Sequence, residues 1–125
     1  MASEANQPGL PQTIEAYGNG GFLVSGQRYQ GSVLITARQS RPWPLTGIDA
    51  LTPESFDPLF EMADDFTILI LGCGPNMGLI GLEVRNALRD RGVALEPMDS
   101  GAACRTYNVL QSEGRPVAAA ILAVD

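Results

Sequence analysis

The run Thr67-Ile68-Leu69-Ile70-Leu71 is continuously apolar, rich in branched residues, and is stopped by Gly72, Gly74 and Pro75. A run of that kind suits a strand covered on both faces, as in a parallel sheet. Beyond the turn Gly72-Cys73-Gly74-Pro75-Asn76-Met77-Gly78, the positions Ile80, Val84, Ala87 and Leu88 recur with a helical period up to Arg91. Pro75 and Asn76 are the expected helix start, and Gly92 is placed as its left-handed cap. Val93-Ala94-Leu95 then reads as the next strand, which predicts a right-handed β-α-β unit.

The pattern repeats downstream. Asp99 or Ser100 can cap a helix running to about Gln111, with Ala103, Tyr107 and Leu110 as its buried stripe. Glu113-Gly114-Arg115 turns the chain, and Val117 to Ala123 forms a last apolar strand. If the strands are parallel, both helix starts fall at one sheet edge, where open α/β sheets make their ligand crevices.

The first half has a different texture. Ile14 to Tyr17, Phe22 to Val24, Arg28 to Gln30 and Ser32 to Ala37 are short strand-like runs separated by glycine-rich turns, which predicts antiparallel pairing. Arg41-Pro42-Trp43-Pro44 cannot enter a sheet interior, because proline has no donor and restricts its neighbour. Thr52-Pro53-Glu54 opens a helix that Pro58 should divide in two before it ends near Met62. Met1 to Gln12 shows no periodicity and is expected to be a mobile tail, leaving a single domain over 13–125.

Composition narrows the chemistry. The chain has 125 residues, enough to bury a core without staples, and no run approaches the length of a membrane span. Its net charge of -6 comes from 14 acids against 8 bases, with every base an arginine and no histidine present. That balance disfavours nucleic acid and anionic lipid as partners. The absence of lysine and histidine removes the Ser-His-Asp and Cys-His couples, Schiff-base lysines and histidine metal sites. Two cysteines, Cys73 and Cys104, are too far apart in sequence for a metal motif and read first as structural thiols of a reducing cytoplasm, with an oxidisable pair or a reactive thiol as the alternatives.

Three features are candidates for function. The glycine turn lacks both the dinucleotide fingerprint and a Walker lysine, because the position three after the second glycine is Met77. Its first reading is close packing. The alternative is a small-anion or nucleotide site in a crevice lined by Gly72, Cys73, Gly74, Asp99, Arg105, Asn108, Glu113 and Arg115. Within that set, ion pairing of Asp99 or Glu113 with a nearby arginine is the plainer expectation. Trp43, the only tryptophan, is either a lid on the core or a rigid anchor for a partner. Asp64-Asp65 reads as a solvated turn.

From about Ile14 onward the sequence resembles the Mth938-like family of small α/β domains. The resemblance rests on Tyr17-Gly18-Asn19-Gly20-Gly21-Phe22, Trp43, Leu69 to Gly74, Met98 to Ala103, Thr106-Tyr107-Asn108 and Glu113 to Ala119, taken in their order and spacing. Two positions depart from the family pattern: Cys73 replaces a small hydroxyl residue, and Ser100 stands where threonine is common. The resemblance implies a three-layer fold, with a mixed central sheet, helices on its faces and an added antiparallel hairpin. It also implies a non-enzymatic role. Mitochondrial members of the family are similar to helpers in building the NADH:quinone oxidoreductase, so the expected partner is a protein, with no cofactor, and membrane association comes only through that partner. It carries over no catalytic residues.

Overall fold

The computed structural model describes residues 12–125. Eight strands form two sheets. β1 (Ile14–Gly18), β2 (Gly21–Val24) and β3 (Gln27–Gln30) make an antiparallel three-stranded sheet in that order. β4 (Ser32–Ile35), β5 (Ser40–Trp43), β6 (Ile68–Gly72), β7 (Ala94–Met98) and β8 (Val117–Ile121) make a five-stranded sheet in the order β5-β4-β8-β6-β7. Among the described residues the helices are α1 (Asp57–Met62), α2 (Leu82–Asp90) and α3 (Ser100–Ser112), with single 3-10 turns at Ile48–Ala50 and Pro53–Phe56. The 3-10 turn running into α1 is the divided helix expected from Pro58.

The large sheet is mixed. β4 pairs antiparallel with β5 and β8, whereas β6 runs parallel to both β8 and β7. Successive side chains of a strand point to opposite faces, and the core divides along that alternation. Leu34, Leu69, Leu71, Ala118 and Ala120 face one way, with Trp43, Phe56, Leu59, Val84 and Leu88 packed over them. Val33, Ile35, Ile70, Ala119 and Ile121 face the other way, under Ile14, Phe22, Val24 and Tyr107. The three layers are therefore α1 and α2, the mixed sheet, and α3 beside the small sheet.

Proline positions follow the edges. Pro42 lies in β5 and Pro97 in β7, the two outermost strands of the large sheet. Each can lack an N–H there without breaking an interior ladder. β7 thus continues past the expected Leu95 to Met98.

Two expectations need correction. The helix expected from Pro75 or Asn76 begins instead at Leu82, with Gly81 as an extended N-cap, and Pro75 to Gly81 is loop. A C-terminal stop was legible, since Gly92 does adopt φ 77°; a start signalled by proline and asparagine alone was not, because neither residue excludes a loop. Residues 1–11 of the expected tail lie outside the described residues. Gln12, assigned to that tail, is fully buried, and its N–H donates to Ala37 O at 3.0 Å.

Candidate functional site

At the rim where β6, β7 and β8 end, three chain segments are tied to one another. Cys73 N–H donates to Met98 O (2.8 Å), Leu122 N–H to Gly72 O (3.0 Å) and Ser100 N–H to Gly74 O (2.8 Å). Ser100 completes the tie from a fully buried position. Its Oγ accepts from Gly74 N–H at 2.9 Å and donates to Leu122 O at 2.7 Å. One hydroxyl therefore satisfies the glycine turn and the end of β8 together, which is what buried backbone groups require.

The glycines serve that closeness. A Cβ on Gly72 would lie 2.6 Å from Ile121 Cγ2 and 3.0 Å from Ser100 Oγ. Gly74 has φ 96°, a conformation that side chains rarely tolerate. The first turn of α3 is equally committed: Asp99 Oδ1 accepts from Ala102 N–H at 2.8 Å, the expected cap. The amides of Cys73, Gly74, Ser100, Ala102 and Ala103 are thus taken by the protein itself.

Beside Gly72, Cys73 and Gly74 the rim is occupied by these backbone ties, and the two helices that leave it part to opposite faces of the sheet. β6 connects through α2 to β7 on one side of it, and β7 connects through α3 back across β6 to β8 on the other. Crossovers of one hand travelling in opposite directions must use opposite faces. Accordingly α2 packs with the Leu69 and Leu71 face, and α3 with the Ile70 and Ile121 face. The two helix starts share one rim, as parallel strands require, and the ends of β6 and β7 there are the point where the crossovers change face. Cys73 points into the α2 side and is buried.

The other lining candidates disperse along α3, whose 13 residues span about 20 Å. Asn108 is a clamp: its Oδ1 accepts from Ile14 N–H (2.9 Å) and its Nδ2 donates to Ile14 O (2.8 Å), joining α3 to β1. Arg105 is exposed and lines a shallow hollow of about 340 Å³ with Glu15, Tyr17, Cys104 and Asn108. Glu113 and Arg115 are exposed at the far rim, where β8 begins. Arg115 borders a separate groove of about 390 Å³ between α3 and the β6-β7 edge, with Ile68, Glu96, Met98, Thr106 and Leu110. The ion pairs expected within this set do not form; among the described residues the pairs are Arg38 with Asp65 (3.7 Å) and Arg41 with Glu61 (3.8 Å), both exposed.

Trp43 closes the α1 side of the core. It is 4% exposed, stacks on Phe56 with ring centroids 5.8 Å apart, and donates Nε1–H to Ser55 O at 2.9 Å. The lid reading describes it; as a partner contact it is corrected, since its indole is spent inside the protein. Cys104 is likewise interior, and burial pushes its thiol up to about 12, an effect the Arg105 charge only partly offsets. Burial also raises the Tyr107 hydroxyl, which donates to Gln12 O and Thr36 O.

The class of protein defined by this arrangement is an Mth938-like α/β domain. Residues 14–122 match the family described as protein of unknown function (DUF498/DUF598), and the chain belongs to that family. An uncharacterised protein of Rhodobacter capsulatus is 38% identical over 87% of this chain and 82% of its own length. The bovine NADH dehydrogenase 1 alpha subcomplex assembly factor 3 is 31% identical over 90% of this chain. This chain spans 61% of that relative's length, so the comparison covers little more than half of the longer protein. Among solved structures, one described as an outer membrane protein from Bartonella henselae superimposes with a TM-score of 0.85 and 32% identity, covering 95% of this chain and all of that one. A Bordetella pertussis structure described as a Mth938-like domain has a TM-score of 0.78 with 26% identity over 98% of this chain and 92% of that chain.

Proposed function

We propose that this chain is a non-enzymatic interaction protein that holds partner polypeptides while a larger complex is built, the respiratory NADH:quinone oxidoreductase being the first candidate. The observation that carries this reading is the match to the bovine assembly factor along 90% of the chain. The use made of reactive side chains supports it. Ser100, Asp99 and Asn108 each hold backbone, and the Cys104 thiol is buried and kept protonated.

No helix among the described residues is long and apolar enough to cross a membrane. We place the protein in the cytoplasm, reaching the membrane through its partner. The test is deletion of the gene in its host, followed by native gel electrophoresis of membranes and an NADH:quinone oxidoreductase assay. Assembled complex should fall, accumulate as partial assemblies, and return when the gene is restored. Full assembly and activity in the deletion strain would overturn the respiratory assignment.

A further inference from the structure

The loop that replaced the expected start of α2 is unusual in what it shows to solvent. Met77 is 68% exposed, Leu79 101% and Leu82 72%, three large apolar side chains within six residues, on a chain that otherwise buries its leucines well. Single exposed leucines are ordinary; three large apolar side chains held in water within one six-residue stretch are what a covering partner would remove from it. The loop is not detached from the body: a Cβ at Gly78 would stand 3.3 Å from Ile48 Cγ1, so it rests against the 3-10 turn Ile48–Ala50.

The surroundings of the group identify what covers it. Between Ile48 and Asp65 the chain carries Asp49, Glu54, Asp57, Glu61, Asp64 and Asp65 and no base. Only Glu61 and Asp65 of these have arginine partners among the described residues, at 3.8 and 3.7 Å. Asp49 follows Ile48 directly, Glu54 lies in the 3-10 turn that packs on α2, and Glu83 is in the first turn of α2 beside Leu82. The one base close by is Arg85, three residues after Leu82 and so its neighbour on α2. Asp49, Glu54 and Glu83, on the elements next to the loop and without arginine partners among the described residues, therefore outnumber the single Arg85 there.

We infer that Met77, Leu79 and Leu82, bordered by Asp49, Glu54 and Glu83, form a docking surface for a basic amphipathic helix of a partner polypeptide. Apolar residues of such a helix at helical spacing cover the three side chains, while its lysines or arginines meet the carboxylates. An anionic lipid surface would meet the same carboxylates with like charge, so the border selects polypeptide over membrane. The inference rests on the reading of the chain as an interaction protein and supplies the partner's chemistry.

The test uses the full chain and a labelled synthetic peptide of about four helical turns with leucines on one face and lysines on the other. Two variants are compared, Met77→Ser with Leu79→Ser and Leu82→Ser, and Asp49→Asn with Glu54→Gln and Glu83→Gln. Every altered side chain is exposed, and unchanged thermal unfolding confirms that both variants fold. Fluorescence anisotropy should show binding that falls at least about 30-fold in the serine variant. It should fall about tenfold in the neutralised variant and in about 0.5 M salt, where exposed charges are screened. A peptide with glutamates in place of lysines should not bind. Equal binding of the basic peptide by the serine variant, or no binding by the wild type, would overturn the inference. So would binding to phosphatidylcholine and phosphatidylglycerol vesicles that is lost in the serine variant, because it assigns the surface to lipid. If the serine variant restores complex assembly in the deletion strain, this surface is refuted while the assembly role stands; if the wild type fails to restore it, the assembly role itself is at fault.

Discussion

Replacing Ser100 with alanine removes one oxygen from the point where β6, α3 and β8 meet. The side chain is fully buried, and the loss leaves the Gly74 N–H and the Leu122 carbonyl without the partner they share. Each orphaned buried group costs about 1–3 kcal/mol, so Ser100→Ala should destabilise the protein by about 2–6 kcal/mol. That is a large fraction of the roughly 5–15 kcal/mol typical of a domain. At a sensitivity of about 3–5 °C per kcal/mol, suitable for a chain of this size, the melting temperature should fall by about 6–30 °C. Urea unfolding followed by the fluorescence of Trp43, the only tryptophan, reads the change directly. Asp99→Ala is the internal comparison: it removes the single bond to Ala102 N–H and should cost about 1 kcal/mol, as helix caps do. A Ser100→Ala midpoint corresponding to a loss below about 1 kcal/mol, with the urea slope unchanged, would refute the argument that one hydroxyl completes this rim.

Further tests address other joints of the fold. Gly72→Ala should cost about 1–3 kcal/mol in the same urea assay, because its new methyl would lie 2.6 Å from Ile121 Cγ2. Asn108→Ala should cost about 1–3 kcal/mol and raise amide exchange at Ile14 more than at Leu69, since its amide holds both backbone groups of Ile14. Trp43→Ala should cost about 3–5 kcal/mol by far-ultraviolet circular dichroism, whereas Trp43→Phe keeps the ring and loses chiefly the bond to Ser55. Cys104 gives a pH prediction. Its thiol sits at about 12 when folded and near 8.5 when unfolded, so the unfolded chain releases this proton first. Its contribution to stability is complete below pH about 8.5 and is lost as pH rises toward 12. Urea midpoints should decline over that interval, and Cys104→Ala should decline less steeply.

Much of the architecture is legible in the chain. The apolar run before Gly72, the Asp99 cap, the left-handed Gly92 and the division of the helix at Pro58 are consequences of local chemistry, and each appears in place. The candidate site fared differently. Its eight lining residues come from a correct view of the strand ends, while the tertiary packing that disperses them was not legible. Gly72, Cys73 and Gly74 are packed at one rim, Asn108 is bound to β1, and Glu113 and Arg115 stand at the other rim. The exposed loop Met77 to Leu82 was hidden for a related reason: its apolar residues continue the helical period of α2 closely enough to pass as part of it.

Periodicity of two or of 3.6 residues, caps and proline exclusions act over a few bonds, so sequence alone determined most of the elements, the two-faced strands and the exclusion of Pro42 from a sheet interior. Partnership across the fold depends on strand order, which no local pattern carries. Only the tertiary structure decided that α2 and α3 lie on opposite faces, and that Asn108 closes on Ile14 from 94 positions away. It alone decided, too, that Trp43 spends its indole on Ser55 while Leu79 is left in water.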